Sequence, residues 1–163
     1  MVEVPEAEPV IGDHYRRHTS SGAEGMPLHI TLLFPFVDSE SLPLAEVAEI
    51  MRGFEPFEFT LTEPCRFGAR DVVLWLAPEP SAPFVAITGA LVRAFPAHQP
   101  YEGAFDEVVP HLTVAVSRDP HLLDAIEPEV AAGLPFRSRA TSATIVHHVE
   151  GTWTRLATIP FGG

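Results

Sequence analysis

Apolar residues recur along this chain at two spacings, and the change from one to the other marks out the expected elements. Alternation or short unbroken apolar runs predict strands at Leu28–Phe36, Phe57–Leu61, Asp71–Ala77, Leu112–Val116, Phe136–Val149 and Thr152–Ile159. Glu8–Ile11 reads as a short edge strand. Helical spacing places Leu44, Val47, Ala48, Ile50 and Met51 on one face of a helix that begins near Ser41-Leu42-Pro43 and stops at Gly53. A second helix from Ser81 to Phe95 carries Phe84, Ile87, Leu91 and Phe95 on one stripe. Asp119-Pro120 reads as a cap followed by a proline in the first turn. Leu122, Leu123, Ala125 and Ile126 follow as the apolar face, and Pro128 is expected to kink or split that helix. Asp13–His18 reads as a turn or two of helix, Thr19–Gly25 as a loop, and Pro96–Val109 as a polar connection.

The order of elements repeats. Each half of the chain runs from a His-x-Thr strand to a helix, then through Pro-Phe into two strands: His29-Ile30-Thr31 in the first half, His111-Leu112-Thr113 in the second. The expected fold class is α+β, a bilobal duplicated fold with two antiparallel sheets around a central cleft and helices on the outside. The whole chain, residues 1–163, reads as one such domain. Strand geometry puts His29 and Thr31 on one face and Leu28, Ile30, Leu32 and Phe34 on the other. In the second copy, His111, Thr113 and Ala115 share a face opposite Leu112, Val114 and Val116. If a pseudo-twofold axis relates the halves, both His-Thr faces meet across one cleft.

Charge narrows the range of partners. The formal net charge is −12, and arginine supplies all ten basic residues. Binding a nucleic-acid backbone needs clustered positive charge, so a long nucleic acid, DNA included, is not expected as a partner. A small nucleotide in a local pocket is not excluded. Apolar residues make up 46%, enough for a core, yet no run reaches the roughly 20 apolar residues of a membrane span. Cys65 is the single cysteine, so no internal disulfide can form; a cytoplasmic setting, a monomer and no membrane partner are the expectations.

Two imidazoles on opposite sides of a substrate can serve together as general base and general acid, because both protonation states of histidine are accessible near neutral pH. Threonine hydroxyls beside them can donate to non-bridging phosphate oxygens without a metal or cofactor. One His-x-Thr in a strand is an ordinary structural feature; two in equivalent places point to in-line displacement at phosphorus. His14 and His18, four apart, share a helix face but lack a matching third ligand, and His147 and His148 face opposite ways in a strand. Trp75 reads as core, Cys65 as structural. Tyr101 is the better aromatic candidate for stacking on a base, Trp153 a further one, and Arg66, with Arg70 in a turn around Gly68, a candidate phosphate contact.

His29-Ile-Thr-Leu-Leu-Phe-Pro-Phe and Pro110-His-Leu-Thr-Val-Ala resemble the paired signatures of the 2H phosphoesterase superfamily, most closely its 2′-5′ RNA ligase-like group. The likeness runs from about Val10 to Phe161. It includes Phe95-Pro96, Pro100-Tyr-Glu-Gly103 and the Gly151-Thr-Trp153 hairpin. It implies the bilobal fold and metal-independent phosphodiesterase chemistry, with His29 and His111 catalytic and Thr31 and Thr113 binding phosphate. Family analogy makes His29 the acid and His111 the base. The substrates implied are small nucleotides or RNA ends carrying 2′,3′-cyclic phosphates, 2′-5′ linkages or cyclic phosphates of ADP-ribose. Many members of the group have an arginine five residues after the second histidine; Val116 stands there in this chain, and the nearest arginine is Arg118. The expected function is a cyclic phosphodiesterase. The alternatives are 2′-5′ ligation, a non-catalytic nucleotide-binding domain, and, more weakly, a metal site using His29 and His111.

Overall fold

Glu8 and Pro9 start a helix where alternation suggested an edge strand. The computed structural model, which describes residues 1–37, 39–104 and 108–162, has α1 at Glu8–His18. A proline in the first turn fits the helix start, Glu8 complements its positive end, and Arg16, Arg17 and His18 complement its negative end. Arg16 also bridges Glu8 and Asp13 along the exposed face, while Ile11 and Tyr15 are buried. The true edge strand is β1, Val2–Glu3. The segment read as a loop contains a short helix, α2 at Ser20–Ala23, capped by Thr19 Oγ1 accepting from Gly22 N at 2.9 Å.

The first His-x-Thr strand is shorter than expected. β2 covers only His29–Ile30, after which the chain bends. The helix α3 spans Leu44–Arg52, and β3 (Phe57–Phe67) and β4 (Val72–Glu79) form a hairpin. Next come α4 (Ala82–Ala94), β5 (Leu112–Ser117) and α5 (Pro120–Ala131). Asp119 caps α5 by accepting from His121 N at 3.0 Å, as its sequence predicts. The expected break at Pro128 does not occur: the helix continues through it, held on both sides by buried Leu123, Ile126 and Val130. The alternating stretch that begins at Phe136 is two strands, β6 (Phe136–Ala140) and β7 (Ser142–Val149). β8 is Thr152–Pro160, reached through Glu150 (φ 51°) and Gly151 (φ 77°). Two successive left-handed residues are what a tight two-residue hairpin turn requires.

Hydrogen bonding sorts these strands into antiparallel sheets, but not along the line the repeat suggests. Six strands run in the order β1-β2-β5-β4-β3-β6, and β7 and β8 form a separate hairpin. Strands β3 and β4 of the first half therefore pair with β5 and β6 of the second, and the chain leaves one sheet for the other at Thr141. The hairpin reaches β1 through Met1, whose amino group donates to Thr144 O (3.0 Å) and whose carbonyl accepts from Thr144 N (2.8 Å). The core includes Ile30, Leu61, Leu74, Leu76, Leu112 and Val114 of the strands with Ile11, Leu123, Ile126 and Val130 of α1 and α5. Phe84 of α4 packs edge-on against Phe57 and Phe59 of β3 at 5.0 and 5.1 Å.

The bent segment after β2 is held by α4. Buried Thr88 donates from Oγ1 to Leu32 O at 2.7 Å. Replacing that hydroxyl by a methyl leaves the Leu32 carbonyl buried without its donor, so Thr88→Val is expected to cost about 1–3 kcal/mol. Equilibrium denaturation by urea checks this; a midpoint equal to that of the unaltered protein would show the bond to be dispensable.

Candidate active site

The two His-Thr pairs come together because β2 and β5 are hydrogen-bonded neighbours, antiparallel, with Ile30 opposite Leu112. Carrying that alignment one residue either way brings His29 level with Thr113 and Thr31 level with His111. Ile30 and Leu112 are both fully buried, so the residues flanking them point to the opposite face. All four line one open cleft of about 1740 Å³. In that register each histidine is level with the threonine of the other segment.

Both imidazoles are oriented the same way. His29 Nδ1 donates to Pro27 O at 2.8 Å, and His111 Nδ1 donates to Val109 O at 2.7 Å. A carbonyl can only accept, so Nδ1 carries the hydrogen and Nε2 is the basic nitrogen of each neutral ring. Aromatic rings fix the ring planes further. Tyr15 meets His29 edge-on at 6.5 Å, and Phe67 and Trp75 meet His111 at 5.1 and 5.9 Å. Burial in the cleft pushes the His29 pKa down to about 4; the neighbouring His111 adds to the effect and the bond to Pro27 opposes it. Burial also lowers His111, against the pull of Val109. Both rings are therefore neutral at neutral pH.

The strand β5 carries a bulge that strict alternation misses. Thr113 pairs with Trp75 and Ala115 with the adjacent Leu74, so Val114 is an extra residue. The phase of the strand flips there. Val114 and Ala115 are both buried, and Val116 rather than Ala115 faces the cleft.

The other sequence candidates divide. Tyr101 lines the cleft, adopts a left-handed backbone (φ 50°), donates from N to Phe34 O at 2.6 Å, and hydrogen-bonds Thr31 through its hydroxyl. Arg66 does not reach the cleft. Its guanidinium binds Asp124 at 2.8 Å and Glu127 at 2.6 Å on α5, over a shallow outer depression, which corrects its reading as a substrate contact. Trp75 is no core residue; alternation along β4 puts it with Val73 on the cleft side, behind His111. Phe67 and Tyr15 went unread as site residues, although Phe67 lies two positions from Cys65, the cross-strand partner of Trp75. His14 pairs with Glu129 at 3.2 Å. His148 pairs with Glu24 at 3.0 Å and packs on Trp153 at 4.8 Å. Burial, with Glu63 and Glu127 nearby, raises the Cys65 thiol, which disfavours its nucleophilic form. Among the described residues no three His, Cys, Asp or Glu side chains are grouped to hold a metal ion, and no helix is long and apolar enough to cross a membrane.

Comparison with known proteins agrees with this architecture. A family model described as the 2′-5′ RNA ligase superfamily matches residues 4–152. The crystal structure of E. coli LigT complexed with NADP+ superposes with a TM-score of 0.57 at 17% identity, covering 99% of this chain and 95% of that one. Curated proteins give no match.

The depressed histidines make stability depend on pH. Between about pH 6.5 and pH 4 the unfolded chain protonates its imidazole while folded His29 stays neutral, so unfolding takes up a proton and stability falls as the pH drops. Urea midpoints measured across this window are expected to rise with pH, with a shallower slope in His29→Asn. A flat profile in the unaltered protein would contradict the assignment.

Proposed function

We propose, from the premise that the chain belongs to the 2′-5′ RNA ligase superfamily, that it is a metal-independent phosphodiesterase of the paired-histidine type. Its substrates are 2′,3′-cyclic phosphates, or related cyclic or 2′-5′ phosphodiesters, of small nucleotides or RNA ends. The observation that carries this reading is that His29, Thr31, His111 and Thr113 flank the paired Ile30 and Leu112 and line one cleft, with both Nδ1 atoms tied to backbone. The LigT structure holds NADP+, which is itself a nucleotide.

The reaction needs a base on one side of phosphorus and an acid on the other. His111 Nε2 takes a proton from water as the water oxygen bonds to phosphorus. The bond from phosphorus to one ribose oxygen breaks, and protonated His29 gives that oxygen its proton. Thr31 and Thr113 donate to the non-bridging oxygens, where negative charge grows. The product is a phosphomonoester, and the histidines exchange protons with solvent to reset. The anionic substrate itself supplies the acid. A negative charge between two imidazoles favours the protonated form of one, against the desolvation that keeps both neutral.

Incubation with nucleoside 2′,3′-cyclic monophosphates in EDTA is expected to yield ring-opened product. His29→Ala and His111→Ala should each lose at least about 100-fold in rate, and Thr31→Val or Thr113→Val about tenfold or more. A melting shift without product would identify a nucleotide-binding domain instead. Unaltered rates in both alanine variants would remove the histidines from the chemistry.

A further inference from the structure

The Thr31 hydroxyl has a single hydrogen, and two partners bear on where it points. Tyr101, which lines the same cleft, hydrogen-bonds Thr31 through its phenol. The proposed reaction also asks Thr31 to donate to a non-bridging phosphate oxygen. A threonine oxygen offers one donor and two acceptor lone pairs. The two demands agree only when Tyr101 donates and Thr31 Oγ1 accepts, which leaves the threonine hydrogen for the phosphate. The phenol is the stronger acid of the two hydroxyls and so the better donor. Burial holds its pKa above the usual range, against the bond to Thr31, so it keeps its proton at neutral pH.

A strained turn puts the phenol there. Tyr101 and Glu102 adopt left-handed backbones (φ 50° and 57°), followed by Gly103 at 75°. Glycine takes this conformation freely; tyrosine and glutamate take it against their Cβ atoms. Strain of this kind persists where the surroundings over-determine it, and it clusters at functional sites. Here the surroundings are the segment that follows Thr31. Tyr101 N donates to Phe34 O at 2.6 Å, and Phe36 packs edge-on against Phe95 at 5.1 Å and His98 at 5.4 Å. Within the turn, Glu102 N donates to Gln99 O and Ala104 N to Tyr101 O, each at 3.0 Å. One stretch of chain, 31–36, therefore carries the threonine and anchors the loop that brings the phenol back onto it.

We infer that Tyr101 is a positioning residue: by donating to Thr31 Oγ1 it aims the Thr31 hydrogen at the phosphoryl group and strengthens it as a donor. The part of Tyr101 that matters for turnover is then its hydroxyl and not the face of its ring. Stacking on a base needs only the ring, which phenylalanine supplies equally well. The inference rests on the phosphodiesterase reading and adds to it a residue outside the His-Thr pairs. Thr31 answers charge that grows on the phosphoryl oxygens in the transition state, so the effect of Tyr101 falls on kcat rather than KM.

The test is a double-mutant cycle on adenosine 2′,3′-cyclic monophosphate in EDTA, with Tyr101→Phe, Thr31→Val and the two combined, each confirmed folded by its melting curve. Tyr101→Phe alone should lower kcat about three- to tenfold and change KM by less than about twofold. In the Thr31→Val background the same change should have no further effect, since no hydroxyl remains to be aimed. Equal losses from Tyr101→Phe in both backgrounds overturn the inference, because the phenol then acts without Thr31. An unaltered kcat in Tyr101→Phe, or a loss confined to KM, also overturns it and leaves the phosphodiesterase reading intact. No turnover by the unaltered protein overturns both.

Discussion

The pairing of β2 with β5 is the constraint on which the rest depends. An antiparallel pair has a local twofold axis, and placing that axis between Ile30 and Leu112 does two things together. It buries two large apolar side chains in the core, and it sets each histidine across from the other strand's threonine. A slip of one residue in either strand would exchange that strand's faces, putting its histidine and threonine into the core and the apolar residue between them into the cleft. Core burial therefore enforces the site's register. The His-x-Thr spacing, with an apolar residue between the two polar ones, is the written form of that requirement in this chain.

Orientation comes from a second, cheaper device. Each imidazole is tied through Nδ1 to the carbonyl two residues upstream, just before its strand, so the same short segment that places the ring also fixes its tautomer. The surrounding rings of Tyr15, Phe67 and Trp75 then strip water from the histidines. That desolvation lowers both pKa values. On the proposed reading, two neutral bases become one base and one acid when an anion arrives between them, so the asymmetry the chemistry needs arrives with the substrate.

Much of this was legible beforehand because it is local. The cap at Asp119, the apolar stripe Phe84–Ile87–Leu91 and the Glu150-Gly151 turn each depend on residues within a few positions, and the structure contains all three. The His-Thr faces were legible because two copies of one pattern were present. What alternation could not supply was tertiary. Glu8–Ile11 alternates like a strand, but its end charges and its packing on the sheet make it helix. Phe136–Val149 reads as one strand, yet Thr141 divides it between two sheets. The exchange of strands between halves depends on pairing partners far apart in the chain, for which composition carries no signal. Arg66 looked like a free cation until α5 placed two carboxylates on it.

The bulge at Val114 shows how one such tertiary detail bears on function. It costs a regular ladder position, and it rotates Val116 from the core side of β5 to the cleft. The residue that arrives there sets the character of the wall beside the second histidine. In a chain of net charge −12, a cation at that position would be a local exception; valine stands there instead, one of several apolar residues in the cleft lining. The acidic remainder then repels polyanions at long range, while on the proposed reading the histidines and hydroxyls accept a phosphoryl group at contact. A strongly acidic protein and an anion-handling site are compatible on these terms, because the attraction is confined to a few ångströms around four side chains.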